Sequence, residues 1–285
     1  NEEVLNKLAF VVKSSFNKDS KNFMDVKDLY VKIIKVLTKF KNTWWVREIY
    51  FDDKCVLNYF DEKDWNVVID NLLFIPSVEY HAEEVCKAMI TKQPELFLEF
   101  LKNRIEYSKS LSFVDNKYRA LPFDFEDLHE EIQKNRKVFV PEFLIWLGRK
   151  DIAAYEIGHI LSEIFSLEEL EEFLLLEKDF TIKKNAIWRL LSAYQGHIPM
   201  NSDFVKLFII KSNEKEQKEL MSLMAVPGGV VTGEFGFAEN MKSKLKELET
   251  FEFKDERLKD FIKIYRGYLK KWIRDEEKKT REEII

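Results

Sequence analysis

The 285 residues are 46% hydrophobic and 34% charged, with only 8 Gly and 6 Pro. That excludes a disordered chain and a multi-stranded fold built on tight turns, and 24 Phe among abundant Leu, Lys and Glu point to packed helices. With 46 basic against 51 acidic residues the net charge is -5, so no general attraction to nucleic acid or anionic lipid is expected.

Apolar residues recur at helical spacing almost throughout. Leu5, Leu8, Val11 and Val12 predict a first helix, and Val26, Leu29, Ile33, Ile34 and Leu37 a second. The aromatic-rich stretch 42–60 reads ambiguously, and a short extended piece there is an alternative to helix. From Asp61 the pattern is cleaner: Trp65, Val68, Ile69 and Leu72 share one face until Pro76-Ser77 breaks it. A helix over about 78–92 follows, and another opens at Pro94, because proline suits a first helical turn. Segment 108–123 is the longest polar connection. Helices are then expected near 124–135, 138–149, 151–165, 167–177, 182–195, 201–211 and 214–225, with two more over about 237–250 and 255–280. Ser166 with Glu169, and Asn213 with Glu216, have capping-box spacing. "PELFLEFL" at 94 and "PEFLIWLG" at 141 each look like the opening of a helix with Pro-Glu. Their interval is that of HEAT and armadillo repeats. The expected fold is all-α: stacked antiparallel helix pairs in a HEAT-like α-solenoid, with an irregular helical bundle as the alternative. Residues 1–60 read as an N-terminal helical segment and 61–285 as the helical-repeat domain.

Cys55 and Cys86 are the only cysteines and have no tight spacing, so neither a zinc site nor a secreted disulfide framework is expected, and the setting reads as cytoplasmic. No run of 18 apolar residues suggests a membrane span. The chain begins at Asn1 without signal-peptide character, as a piece of a longer protein would.

The stretch "AVPGGVVTGEFGF", 225–237, fails the phosphate test. A Walker loop needs a Lys and a hydroxyl after its last glycine, whereas Gly233 is followed by Glu234. It reads first as a helix connection with glycines at positive φ, second as a binding loop with Glu234 and Phe235 exposed to a partner. His81 in "HAEEVC" lacks the downstream P-C-x-x-C of zinc deaminases and reads as an exposed helix residue. His129-Glu130 opens no H-E-x-x-H, His159 reads as packed, and His197 falls in a loop. Glu168, Glu169, Glu171 and Glu172 read as a solvated first turn favoured by the helix dipole. No catalytic, cofactor-binding or metal-ligating residues are assigned.

The last helix is more informative. Lys259, Lys263, Arg266, Lys270 and Arg274 follow at steps of 4, 3, 4 and 4 and form one basic stripe. Phe261, Tyr265, Tyr268 and Trp272 take the same steps on another face. The plain reading puts the aromatic face in the core and the basic face in water. The alternatives are a nucleic-acid contact or a partner-docking surface, and the tail "DEEKKTREEII", with both signs mixed, argues against a nucleic-acid arm.

Three segments, "PELFLEFLKNRIEY" (94–107), "YRALPFDFEDLHEEI" (118–132) and "KNAIWRLLSAYQGHIP" (184–199), together resemble the C-terminal helical-repeat regions of large bacterial STAND-type NTPases and similar multidomain defence proteins. The resemblance covers residues 60–250 and leaves the first 60 unplaced. It implies a sensor region that binds a protein, commonly a viral one, with NTPase and effector domains N-terminal to it. A protein partner is therefore expected, rather than nucleic acid or membrane, through Glu234, Phe235, Lys259, Lys263, Arg266, Lys270 and Arg274. Two other readings are an alkylpurine DNA glycosylase of HEAT-like build, using Trp146, Arg149 and Asp151, and a purely structural scaffold.

Overall fold

The helical periodicity becomes helix from the first described residue. The computed structural model describes residues 2–49, 56–111, 117–121, 125–149, 154–176, 179–194, 198–226 and 235–284, and among them every regular element is helical. In chain order these are α1 (Glu2–Ser14), α2 (Phe23–Lys39), α3 (Trp45–Ile49), a 3-10 turn (Val56–Tyr59), α4 (Glu62–Leu72), α5 (His81–Lys92) and α6 (Pro94–Ser110). A second 3-10 turn (Glu126–Leu128) runs into α7 (His129–Lys134). Then come α8 (Arg136–Gly148), α9 (Ala154–Ile164), α10 (Leu167–Leu176), α11 (Phe180–Ala193), α12 (Asp203–Lys211), α13 (Glu214–Ala225), α14 (Gly236–Leu248) and α15 (Glu256–Ile284). None of the described helices is long and apolar enough to cross a membrane.

The chain divides into two compact units. The first comprises residues 1–143 and 151–164, so residues 1–60 belong with those that follow them; the second comprises 144–150 and 165–285. In the first unit α2 packs on α1 and α4, α5 on α3, α6 and α7, and α7 on α9. Its core carries Trp45, Trp65, Phe97 and Phe100, all buried, with Phe97 edge-on to both Phe125 and Phe139 at 5.7 and 5.9 Å between centroids. In the second unit α15 packs on α12, α13 and α14, and α11 on α12.

Several expectations are met in detail. Trp65, Val68, Ile69 and Leu72 of α4 are all buried, and α6 opens at Pro94. Both expected capping boxes form. Ser166 N–H donates to Glu169 at 2.9 Å and Glu169 N–H to Ser166 Oγ at 3.3 Å, while the Asn213–Glu216 pair closes at 2.8 and 3.0 Å.

Other expectations are corrected. No extended piece occurs among the described residues of 42–60, which form α3 and a 3-10 turn. Trp45 holds this stretch down: its indole N–H donates at 2.7 Å to the buried Asn71, whose amide donates in turn to Thr38 and to the Asn42 carbonyl. Helix α5 starts at His81 rather than 78, because Tyr80 sits at φ 52°, ψ -110°, outside any helical region. Pro141 does not open a helix; it lies inside α8, so the two Pro-Glu motifs are not structurally equivalent.

The motif "KNRIEY" has a physical explanation in Arg104, which is fully buried although charged. Its five N–H groups meet five backbone carbonyls: Nε donates to Ala120 at 2.9 Å, Nη1 to Leu72 and Ile75 at 3.0 and 2.9 Å, and Nη2 to Pro76 and Arg119. The guanidinium lies over the Tyr118 ring at 4.6 Å. One side chain thereby caps the C-terminus of α4 and pins segments 73–76 and 119–120 against α6.

Candidate functional site

The second unit gathers the chemistry at the N-terminal half of α15. The Asp255 carboxylate accepts from the backbone N–H groups of Arg257 at 2.8 Å and Leu258 at 3.2 Å, which fixes where the helix begins. From there Leu258, Phe261, Ile262, Tyr265, Leu269 and Ile273 are buried, one stripe of a 3.6-residue period. The basic stripe flanks this buried face. Lys259, Lys263, Lys270 and Arg274 are exposed and Arg266 is half-buried. Tyr268 and Trp272 are also half-buried, so only the N-terminal part of the aromatic face reaches the core.

A groove of about 650 Å³ runs along this face. One wall is the segment before α15, where Phe251 and Phe253 stack on each other with centroids 6.0 Å apart and planes at 21°. Glu252 lies between them in sequence and also lines the groove. The other wall is α15 itself, through Lys259, Lys263, Arg266 and Lys270, with Gly267 among them. A Cβ at Gly267 would meet nothing within 4 Å, so this glycine leaves helix backbone open at the groove rather than making room for a packed neighbour.

The cations differ in what already engages them. Arg266 donates from Nη2 to the carbonyl of Leu248, the last residue of α14, where a positive charge suits the helix dipole. Lys259 pairs with Glu256 at 2.6 Å, an exposed i, i+3 contact of small worth. Lys263, Lys270 and Arg274 have no ion pair among the described residues. From 257 to 274 the sequence holds seven basic residues and one acidic one, Asp260, in a chain whose net charge is -5. A second groove, of about 680 Å³ on another side of α15, is lined by charges of both signs, Glu214, Lys218, Arg257 and Asp260, and so favours no ligand charge.

The structure thus brings Lys259, Lys263, Arg266 and Lys270 to one groove. Arg274 continues the stripe outside it. Phe235 is half-buried at the start of α14 and does not line the groove. Glu234 lies outside the described residues, as do the loop glycines Gly228, Gly229 and Gly233, and Cys55, Asp151 and His197. Phe251 and Phe253 were missed at the sequence level. Their signal was an aromatic pair at i, i+2, which an extended connection places on one side.

Elsewhere the motif residues serve packing. His81 is half-buried rather than exposed. His159 is half-buried with Nδ1 3.8 Å from Glu163. Cys86 is fully buried, and burial pushes its thiol pKa up, away from reactivity. Glu171 is more than a solvated acid: its carboxylate accepts from Ser202 Oγ and from the backbone N–H groups of Asp203 and Phe204, capping α12. No group of three or more His, Cys, Asp or Glu among the described residues could hold a metal ion. The groove's Lys, Arg and Phe side chains can hold an anionic, partly apolar segment. Compared with known proteins, the chain matches no family model, no curated protein and no solved structure.

Proposed function

We propose that this chain is a non-catalytic protein-interaction module that uses the α15 groove to hold an acidic segment of a partner protein. The carrying observation is the row Lys259, Lys263, Arg266 and Lys270 facing the stacked Phe251 and Phe253, with Gly267 open between them. Lys259 to Lys270 spans about 16 Å of helix, the reach of about five extended residues. The rings, stacked on each other, offer edges and one face to an apolar side chain rather than a run of separate platforms for bases. In the first unit several helices pack on the one two places on, α1 on α3, α2 on α4, α3 on α5, α5 on α7 and α7 on α9, a pattern that supports a HEAT-like stack as the scaffold. The resemblance to bacterial STAND-type sensor regions agrees with a protein ligand, viral or other, and with a role inside a larger defence protein. The glycosylase reading loses its aromatic residue, since Trp146 is buried in the core.

Fluorescence anisotropy with two probes of equal length tests this reading. One is a peptide rich in Asp and Glu with a central Leu-Phe pair; the other is single-stranded DNA. The peptide is expected to bind, and the double variant Lys263→Glu/Lys270→Glu to weaken it at least about tenfold without loss of helix. Tighter binding of the DNA, or equal binding of the peptide by the double variant, would overturn the proposal.

A further inference from the structure

A different cavity in the second unit is built from α13, α14, α15 and the segment before α12. It has a volume of about 230 Å³, smaller than the pockets that hold drug-sized ligands. Its apolar wall includes Met200, Met224 and Leu248, all buried. Its polar groups are Lys244, Glu247 and Tyr265.

Tyr265 is 1% exposed, and its hydroxyl makes no hydrogen bond. A buried hydroxyl without a partner has lost its hydration with nothing in return, so it calls for an explanation. Burial first, then the neighbouring Tyr268 and the Glu247 carboxylate, raise its pKa, so it stays a neutral donor. Lys244 directs its ammonium to the carbonyls of Met224 and Val226, both 2.5 Å away, which uses two of its three N–H donors. Burial lowers its pKa, and Glu247 opposes that shift. Glu247 is one turn further along α14 and exposed. The residues around the cavity therefore carry two donors, one carboxylate acceptor and an apolar wall, with the Lys244 and Glu247 charges opposite in sign.

We propose that this cavity binds a small α-amino acid with an aliphatic side chain, its carboxylate on Tyr265 and Lys244, its ammonium on Glu247 and its side chain against Met200, Met224 and Leu248. A zwitterion matches the paired charges of Lys244 and Glu247, and its carboxylate supplies the acceptor that the Tyr265 hydroxyl lacks. The site is independent of the α15 groove.

The test uses calorimetry and thermal melting of the full chain with L-leucine, isovalerate, which lacks the ammonium, and isopentylamine, which lacks the carboxylate. Leucine is expected to bind with Kd about 1 mM or tighter and to raise Tm, with each analogue at least about tenfold weaker. Tyr265→Phe removes an unbonded hydroxyl, so it should fold with unchanged or higher Tm, yet bind leucine at least about tenfold more weakly. Glu247→Gln, on an exposed residue, should lose the preference for leucine over isovalerate. No leucine binding at about 10 mM, or leucine binding unaffected by Tyr265→Phe, would overturn the proposal. So would equal binding of leucine and isovalerate by the unmodified chain.

Discussion

Arg104 shows how a charge can be buried without a countercharge. Desolvation alone would disfavour it, and burial does lower its pKa, yet guanidinium is so basic that it stays charged. What compensates is geometry: five donors in a fixed fork meet five carbonyls, of which those of Leu72 and Pro76 also accept a backbone N–H, from Ile75 and Arg119. Arg104→Met should therefore destabilise the protein by about 3 kcal/mol or more, measured by denaturant unfolding, because the carbonyls of Ile75, Arg119 and Ala120 lose the Arg104 donor and those of Leu72 and Pro76 keep only their backbone one. Arg104→Lys should recover little, since an ammonium offers three donors from a point rather than a planar fork. Gly267 makes the opposite case. A methyl group there meets nothing, so Gly267→Ala should stabilise by about 0.5–1 kcal/mol through helix propensity. If the groove is a contact surface, a bulkier Gly267→Trp should fold but block the peptide. Peptide binding unchanged by tryptophan would show that the open backbone has no such role, and stability unchanged by alanine would show that helix propensity does not limit this position.

At the level of elements, the caps make the fold sensitive to acid. The Asp61 carboxyl has its pKa lowered, chiefly by the hydrogen bond from the Asp64 backbone N–H at the start of α4. For Glu216, burial raises the pKa, but hydrogen bonds from Lys184 and the Asn213 N–H outweigh it and hold the net value down. A carboxyl with a lowered folded pKa stabilises above its unfolded pKa and loses that contribution as pH falls through its folded value. The first turns of α4 and α13 should therefore fray as pH drops through and below the ordinary carboxylate range, visible as backbone chemical-shift changes at 62–65 and 214–217. Asn213→Ala should cost about 1 kcal/mol at neutral pH. These caps show which features the sequence made legible. Ser-x-x-Glu and Asn-x-x-Glu are local patterns, and each formed as read; the α15 stripe was equally readable because its period is set within one helix. What depended on distant contacts was not readable. Glu171 looked like one more acid in a first turn, but its partner is the N-terminus of α12. Pro141 looked like a helix start, yet Arg136 to Val140 already form helix before it. The groove was half legible: its cations follow from spacing, whereas Phe251 and Phe253 join them only through the turn between α14 and α15.

For the whole molecule, charge distribution matters more than net charge. A chain of net charge -5 carries one segment with seven basic residues and one acid. Acidic surface elsewhere disfavours nonspecific adsorption to polyanions, while the local field still attracts a short acidic segment. Peptide binding should therefore weaken steeply with salt: raising ionic strength from about 0.05 to 0.5 M shortens the screening length to a few ångströms, and affinity should fall at least about tenfold. The most direct test of the account is where the partner sits. Amide hydrogen exchange of the whole chain, with and without the acidic peptide, should show new protection concentrated at 251–270. Protection confined to other helices, or none at saturating peptide, would contradict the assignment of the α15 groove as the contact surface.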